Sequence, residues 1–199
     1  MYNEQRSEGV VLRSTLYKEQ DRILSIFTED HGLMSLMVKK ATHHKVLTSP
    51  FCQGEFLYVK GKSDLYKFHD GTVLDDHMAL RNSFNSLTAA GEIAQAVLHS
   101  QMPGKPAPQL YALLTACMKQ LPLFEPAFRL TASFRLKLLM HEGLISWEDP
   151  SIFPIPLIRS EWEILKECAQ ARSFQKIREI PVSEELGSKV EKRFKDILL

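Results

Sequence analysis

The chain opens with short apolar runs separated by polar reversals. Val10, Val11, Leu12 and Leu16 predict a first strand, followed by a polar reversal from Tyr17 to Asp21. Arg22 to Thr28 predicts a second strand and Leu33 to Lys40 a third. Between these two, Glu29-Asp30-His31-Gly32 reads as a tight turn, with glycine where positive φ is easiest. Runs of this length, rich in β-branched residues and bounded by turn signals, argue strands rather than helices. Ala41 to Pro50 is a polar, basic connection. Phe51 to Gly61 predicts a fourth strand and Gly61 to Asp64 a turn. Leu65 to Leu74 predicts a fifth strand, with Asp70-Gly71 as a point of interruption. Five strands in so short a span suit a small closed barrel, because closure removes exposed edges. An open meander packed on helices is the alternative.

From Asp75 the period changes. Met78, Leu80, Phe84, Leu87, Ala90, Ile93, Ala94, Val97 and Leu98 recur at three and four, which predicts an amphipathic helix ending before Pro103-Gly104. Pro106 and Pro108 open a second helix through Leu110, Leu114, Cys117, Met118 and Leu121, where a missing N–H costs no hydrogen bond. Pro126 opens a third, ending near Gly143. Phe128, Leu130, Phe134, Leu136, Leu138 and Leu139 give that helix apolar residues on both faces, which suits the centre of a bundle. Trp147 to Pro156 is a Pro-rich connection. Ser160 and Glu163 read as a capping box for a helix to about Arg172. A short helix covers Phe174 to Ile180, and Ser183 caps a last one carrying Leu186, Val190, Phe194, Ile197 and Leu198 on one face. The organisation expected is an α+β chain with a β domain over 1–75 and an all-α domain over 76–199.

Composition narrows the class. Apolar residues make up 44% and charged residues 25%, the balance of a chain with a packed core. No apolar run is long enough to span a bilayer, and Met1 to Arg6 lacks the apolar core of a signal peptide, so a cytoplasmic location is expected. Cys52, Cys117 and Cys168 cannot all pair and form no CxxC, so they are expected to be small core residues. The net charge of +1 is not that of a protein that coats nucleic acid by bulk charge. Any anion site must be local. From Lys39 to Lys67 six lysines (39, 40, 45, 60, 62, 67) face two acids, Glu55 and Asp64. That window reads either as a phosphate-tracking surface with aromatic stacking platforms or as a solvated charged face. Alternation puts Phe56, Tyr58 and Lys60 on one face of the fourth strand and Leu57 and Val59 on the other, with the second set taken as core. Tyr58 beside Lys60, and Tyr66 beside Lys67, are then candidate base platforms beside phosphate partners.

The order of several short pieces carries a resemblance. Glu8-Gly9-Val10-Val11-Leu12-Arg13, Asp21-Arg22-Ile23-Leu24, Phe27-Thr28, His31-Gly32, Ser49-Pro50-Phe51 and Asp64-Leu65-Tyr66 together resemble the start of the bacterial DNA repair protein RecO family. The resemblance implies an N-terminal OB-fold β-barrel and a C-terminal all-α helical domain. It also implies a recombination mediator without catalysis or cofactor. Such a protein binds single- and double-stranded DNA, anneals strands and helps load recombinase (RecA, indirectly) onto strands coated by single-strand-binding protein. RecR and the acidic C-terminal tail of single-strand-binding protein are the implied partners, and a nucleoid-associated location follows. The DNA-binding set is then Arg13, Lys39, Lys40, Lys45, Tyr58, Lys60, Lys62, Tyr66 and Lys67. Arg129, Arg135 and Lys137 on the third helix form either a basic rim for that tail or ordinary bundle charges reaching solvent. One departure concerns the loop: where relatives commonly continue Lys-Gly-Ala-Arg, this chain has Lys39-Lys40-Ala41-Thr42. An OB-fold RNA-binding protein is the competing reading.

Other signals are weaker. Adjacent histidines His43-His44 on a strand point apart, so an exposed pair is expected rather than a metal site. Asp75-Asp76-His77 reads as an acidic helix start. No GxxxxGK[ST], HExxH or GxSxG is present. Gly143 to Ser160 holds no cysteine or histidine where RecO-like relatives often carry a cysteine zinc finger. No metal is therefore expected, and Trp147, Ile152, Phe153 and Ile155 are expected to pack on the bundle in its place.

Overall fold

The computed structural model describes residues 4–61, 65–148 and 157–198. Five strands come first: β1 (Glu4–Tyr17), β2 (Asp21–Thr28), β3 (Gly32–Val38), β4 (Gln53–Val59) and β5 (Leu65–Asp75). They close into a barrel in the order β1-β2-β3-β5-β4. β1 is long enough to serve both neighbours, pairing with β4 through its first half and with β2 through its second. The two ladders overlap at Gly9 and Val10, and a bulge follows between Val11 and Arg13. Val11 faces the core and Val10 the covered outer face, and the bulge lets Leu12 follow them into burial. The inward set is Val11, Leu24, Ile26, Met34, Leu36, Val38, Phe56 and Tyr58. β3 alternates without a break, buried at even positions from Gly32 to Val38. The fold is α+β: an OB-type closed barrel followed by a helical region.

Six helices follow: α1 (Phe84–Ser100), α2 (Pro108–Gln120), α3 (Phe128–His141), α4 (Arg159–Gln170), α5 (Phe174–Glu179) and α6 (Glu184–Leu198). The compact units are not consecutive along the chain. Residues 1–81 and 101–119 form one, and residues 82–100 and 120–199 the other. α2 therefore belongs with the barrel. Tyr111 on α2 lies against Phe27, with ring centroids 6.3 Å apart, and donates its hydroxyl to Glu8 Oε1 at 2.9 Å. Gln53 Nε2 donates to the same oxygen at 2.6 Å. Burial, with the Glu8 carboxylate beside it, pushes the Tyr111 phenol well above its ordinary range. The segment ahead of α2 is pinned too, since Gly104 N–H donates to the Leu33 carbonyl at 2.9 Å.

In the second unit α3 is central, packed on α1, α4, α5 and α6, as its apolar faces predict. Its polar side chains reach the ends of neighbouring helices. Ser133 Oγ donates to the Cys168 carbonyl, and Lys137 Nζ to the carbonyls of Ala169 and Ala171 at the C-terminus of α4. There a cation meets both unpaired carbonyls and the negative dipole end. The start of α4 differs from the sequence expectation. Ile158 occupies the cap, and Glu161 rather than Glu163 reaches back, accepting from the Ile158 N–H at 3.1 Å. Ser160 lies inside the first turn, because the helix begins two residues earlier and Glu161 is also held by Lys189. Ser183 does accept from the Leu186 N–H as expected. Trp147 packs on Trp162 with ring centroids 4.9 Å apart, while Ile152, Phe153 and Ile155 lie outside the described residues. All three cysteines are buried and free.

Gly32 tests how tightly the β2–β3 turn is held. Its φ is +64°, and a Cβ there would lie 2.0 Å from the Lys105 carbonyl oxygen. Gly32→Ala should combine left-handed strain with a backbone clash, a loss of roughly 2–4 kcal/mol. Urea unfolding of the variant against the parent measures it.

Candidate nucleic-acid interface

The register fixes which residues share the barrel's outer face. One row runs Arg13 (β1), Ser25 (β2), Ser35 (β3) and Leu65 (β5). The next runs Thr15, Ile23, Met37 and Lys67, and reaches Val59 on β4. Directly paired residues project to the same side, so these rows are the surface opposite the core. Further along the same face Val10 pairs with Phe27, and Phe27 pairs with Leu33. That end is covered: Phe27 meets Tyr111 of α2, and Leu33 bridges to Pro103. The other end is open. Arg13 and Lys67 are exposed there, separated by three strand spacings, roughly 14 Å.

Lys39 and Lys40 follow β3 directly and are both exposed. Lys40 has φ +48°, the left-handed region that favours glycine. This is the position where the resemblance calls for glycine. The conformation is held by two bonds, Lys40 N–H to Asp21 Oδ1 at 3.0 Å and Ala41 N–H to the Gln20 carbonyl at 2.8 Å. Lys45 is exposed on the connection that follows and lines a groove with Leu16 and Arg22. Lys60 is exposed just past β4. Lys62 lies outside the described residues.

Two sequence expectations change here. Tyr58 and Phe56 point into the barrel, and Leu57 and Val59 are the outward, half-buried pair. Both faces of β4 are apolar, so alternation alone leaves the choice open. The barrel interior takes the larger aromatic pair, and the Tyr58 hydroxyl finds Ser7 Oγ at 2.8 Å, itself buried. Burial raises the Tyr58 phenol pKa. Fully enclosed, Tyr58 has no ring face to offer a base. Tyr66, half-buried, packs edge-on against it at 5.3 Å. The second correction concerns α3. Lys137 caps α4, Arg129 donates to the Arg178 carbonyl at 3.1 Å, and Arg135 is buried with its guanidinium on Glu92 Oε2 at 3.1 Å. These three do not form one basic rim: each is directed at a different partner, and of the three only Arg135 is buried.

Ser25, Ser35, Ile23 and Met37 escaped sequence reasoning, although the inward set of β2 and β3 leaves them outward by parity. The acidic pair serves the backbone: Asp75 Oδ1 accepts from the His77 N–H and Asp76 Oδ1 from the Met78 N–H. The short helical turn Met78–Asn82 starts there. Burial pushes the Cys52 and Cys168 thiols up to about 11, far from a reactive thiolate. Among the described residues no three His, Cys, Asp or Glu side chains come together as a metal site. His44 instead lies edge-on to Phe68 at 5.1 Å.

Comparison with known proteins adds the family. Residues 1–76 match the family described as Recombination protein O N terminal. DNA repair protein RecO of Chlamydia muridarum is 24% identical, over 96% of this chain and 94% of its own. RecO of Rubrobacter xylanophilus is 34% identical and that of Clostridium perfringens 30%, each over 69% of this chain. The family is the RecO family, and this chain belongs to it. The matched region spans 57% of the length of each of these two relatives. The family model covers the barrel and ends where the sheet does, at the close of β5. Among the described residues no helix is long and apolar enough to cross a membrane.

The burial of Tyr58 gives a prediction. Tyr58→Phe should lose the bond to Ser7 and about 1 kcal/mol of stability, leaving strand binding at the parent level. Thermal unfolding and fluorescence-anisotropy titration of the same variant separate the two effects.

Proposed function

We propose that the open end of the barrel's outer face binds DNA by backbone charge, and that the protein acts as a recombination mediator without catalysis. The observation that carries this reading is the juxtaposition of Arg13 and Lys67 across β1, β2, β3 and β5, with Lys39 and Lys40 at the end of β3. The small side chains of Ser25 and Ser35 between them let a backbone approach the sheet. A strand neutralised by these cations repels its complement less, which favours annealing. Family membership supports DNA over RNA, since the matched relatives are DNA repair proteins by name. Assistance to recombinase loading, with RecR and RecA as partners, follows from the same membership. The inert thiols and the capping roles of Asp75 and Asp76 support a role without chemistry.

A tail site for single-strand-binding protein is best supported by a groove between α1 and α6 of about 390 Å³. Ala96 and Phe194 give it apolar surface, and its cations Arg135 and Lys195 are each paired with a lining carboxylate, Glu92 and Glu191. Glu92 already holds Arg135, so an acidic peptide must compete for that guanidinium. Glu92→Gln should therefore tighten binding of an acidic, apolar-ended peptide, and Lys195→Glu should weaken it. Calorimetry at low salt reads both, and no heat from the parent protein removes the tail site.

The DNA reading predicts steep salt dependence. Three to five phosphate contacts give a log–log slope of about −2 to −3.5 on single strands. Lys39→Glu with Lys67→Glu should weaken all sequences alike and flatten the slope by roughly 1.4. Affinity independent of salt, or an unaffected double variant, overturns the assignment. Competition between DNA and RNA of equal length decides against the RNA-binding alternative if DNA wins.

A further inference from the structure

Two features of β3 border one cleft. Among the described residues Ser35, Leu36 and Met37 pair in parallel with Leu65, Tyr66 and Lys67 of β5. Leu33 bridges to Pro103 and accepts from Gly104 N–H. Beside these pairings lies a cleft of about 260 Å³. Tyr66, His31, Ser25 and Ser35 line it, with the exposed Lys60. The aromatic wall is braced from behind. Buried Tyr58 meets Tyr66 edge-on at 82° and His31 edge-on at 81°, with centroids 5.3 and 6.5 Å away. Ser25 and Ser35 belong to the same outward row as Arg13, whereas Tyr66 lies on the inward side with Leu36, so the cleft leads from the open face in between the strands.

The chemistry of this cleft differs from that of the charged face. Drug-sized ligands fill pockets of about 300–1,000 Å³, and this one is smaller, the scale of a single planar ring system. It offers an aromatic surface, two hydroxyls that both donate and accept, and one cation. Unstacked bases are recognised by such a set: a ring to stack on, hydrogen-bonding groups for the base edge, and charge for the adjoining phosphate. We infer that the cleft receives one unstacked base of a bound single strand. Tyr66 forms the stacking wall, Ser25 and Ser35 meet the base edge, and Lys60 meets the neighbouring phosphate. This rests on the outer face binding nucleic acid. A base inside a duplex enters only after unstacking and unpairing, so the cleft favours single strands over duplex at equal phosphate number.

The test compares a thymidine strand with an abasic strand of the same length at one salt concentration. The parent protein should prefer the thymidine strand by about five- to 150-fold, the range expected for one stacked base. Ser35→Leu fills the cleft from an outward position and should bring that ratio toward one. A strand carrying one 4-thiothymidine, irradiated on the parent protein, should link to Tyr66 or His31 by mass spectrometry. This readout needs no variant, so it stands if Ser35→Leu fails to fold. Equal binding of both strands, an unchanged ratio in folded Ser35→Leu, or linkage only at other barrel residues overturns the cleft while leaving the charged face intact. Binding of neither strand overturns the nucleic-acid reading itself, and the cleft with it.

Discussion

The pairing of β3 with β5 closes the barrel. Among the described residues Ser35, Leu36 and Met37 meet Leu65, Tyr66 and Lys67 in parallel, where the other strand pairs are antiparallel. Without this ladder the five strands would be an open meander with two exposed edges. With it, Leu36 and Tyr66 face a common core, and Met37 and Lys67 face out together. Lys67 thereby joins the surface carrying Arg13, from which it is separated by some fifty residues of chain. Nearer the start of β3, Leu33 bridges to Pro103, and the cleft lies beside both pairings.

The outer face is thus divided by what covers it. Val10, Phe27 and Leu33 are large and apolar, and they take Tyr111 and the segment before α2 as their lid. Beyond them the same rows turn to Ser25, Ser35, Arg13 and Lys67. The switch from apolar to small and cationic side chains along one face separates a covered surface from an open one. Glu8 secures the lid by accepting from Tyr111 and Gln53 at once, so one carboxylate ties α2 to two strands.

The helical unit uses its charges differently. On α3 the cations point at carbonyls and a carboxylate within the same unit. Arg135 is the exception in kind, since its partner Glu92 borders a groove. An ion pair at the edge of a groove is one that a stronger anion can exchange.

The sequence determined the element types, because each is a local matter of period and punctuation. Five strands, the glycine turn at Gly32, the central α3 and the buried cysteines were all legible in spacing and composition. The cluster of lysines after β3 was legible as a local excess of charge. What local pattern could not decide was direction. Phe56 and Tyr58 alternate with Leu57 and Val59, all apolar, and only the closed interior with Ser7 at its wall selected the aromatic pair. The same holds for Ser160 and Glu163, a cap by sequence that is displaced by two residues to Ile158 and Glu161, which Lys189 holds from 28 residues away. Arg129, Arg135 and Lys137 read as surface charge because their partners lie far off in sequence. Which side chains share a face across strands is a property of register, and register is set by closure. The open cationic face and its cleft therefore belong to the tertiary structure alone.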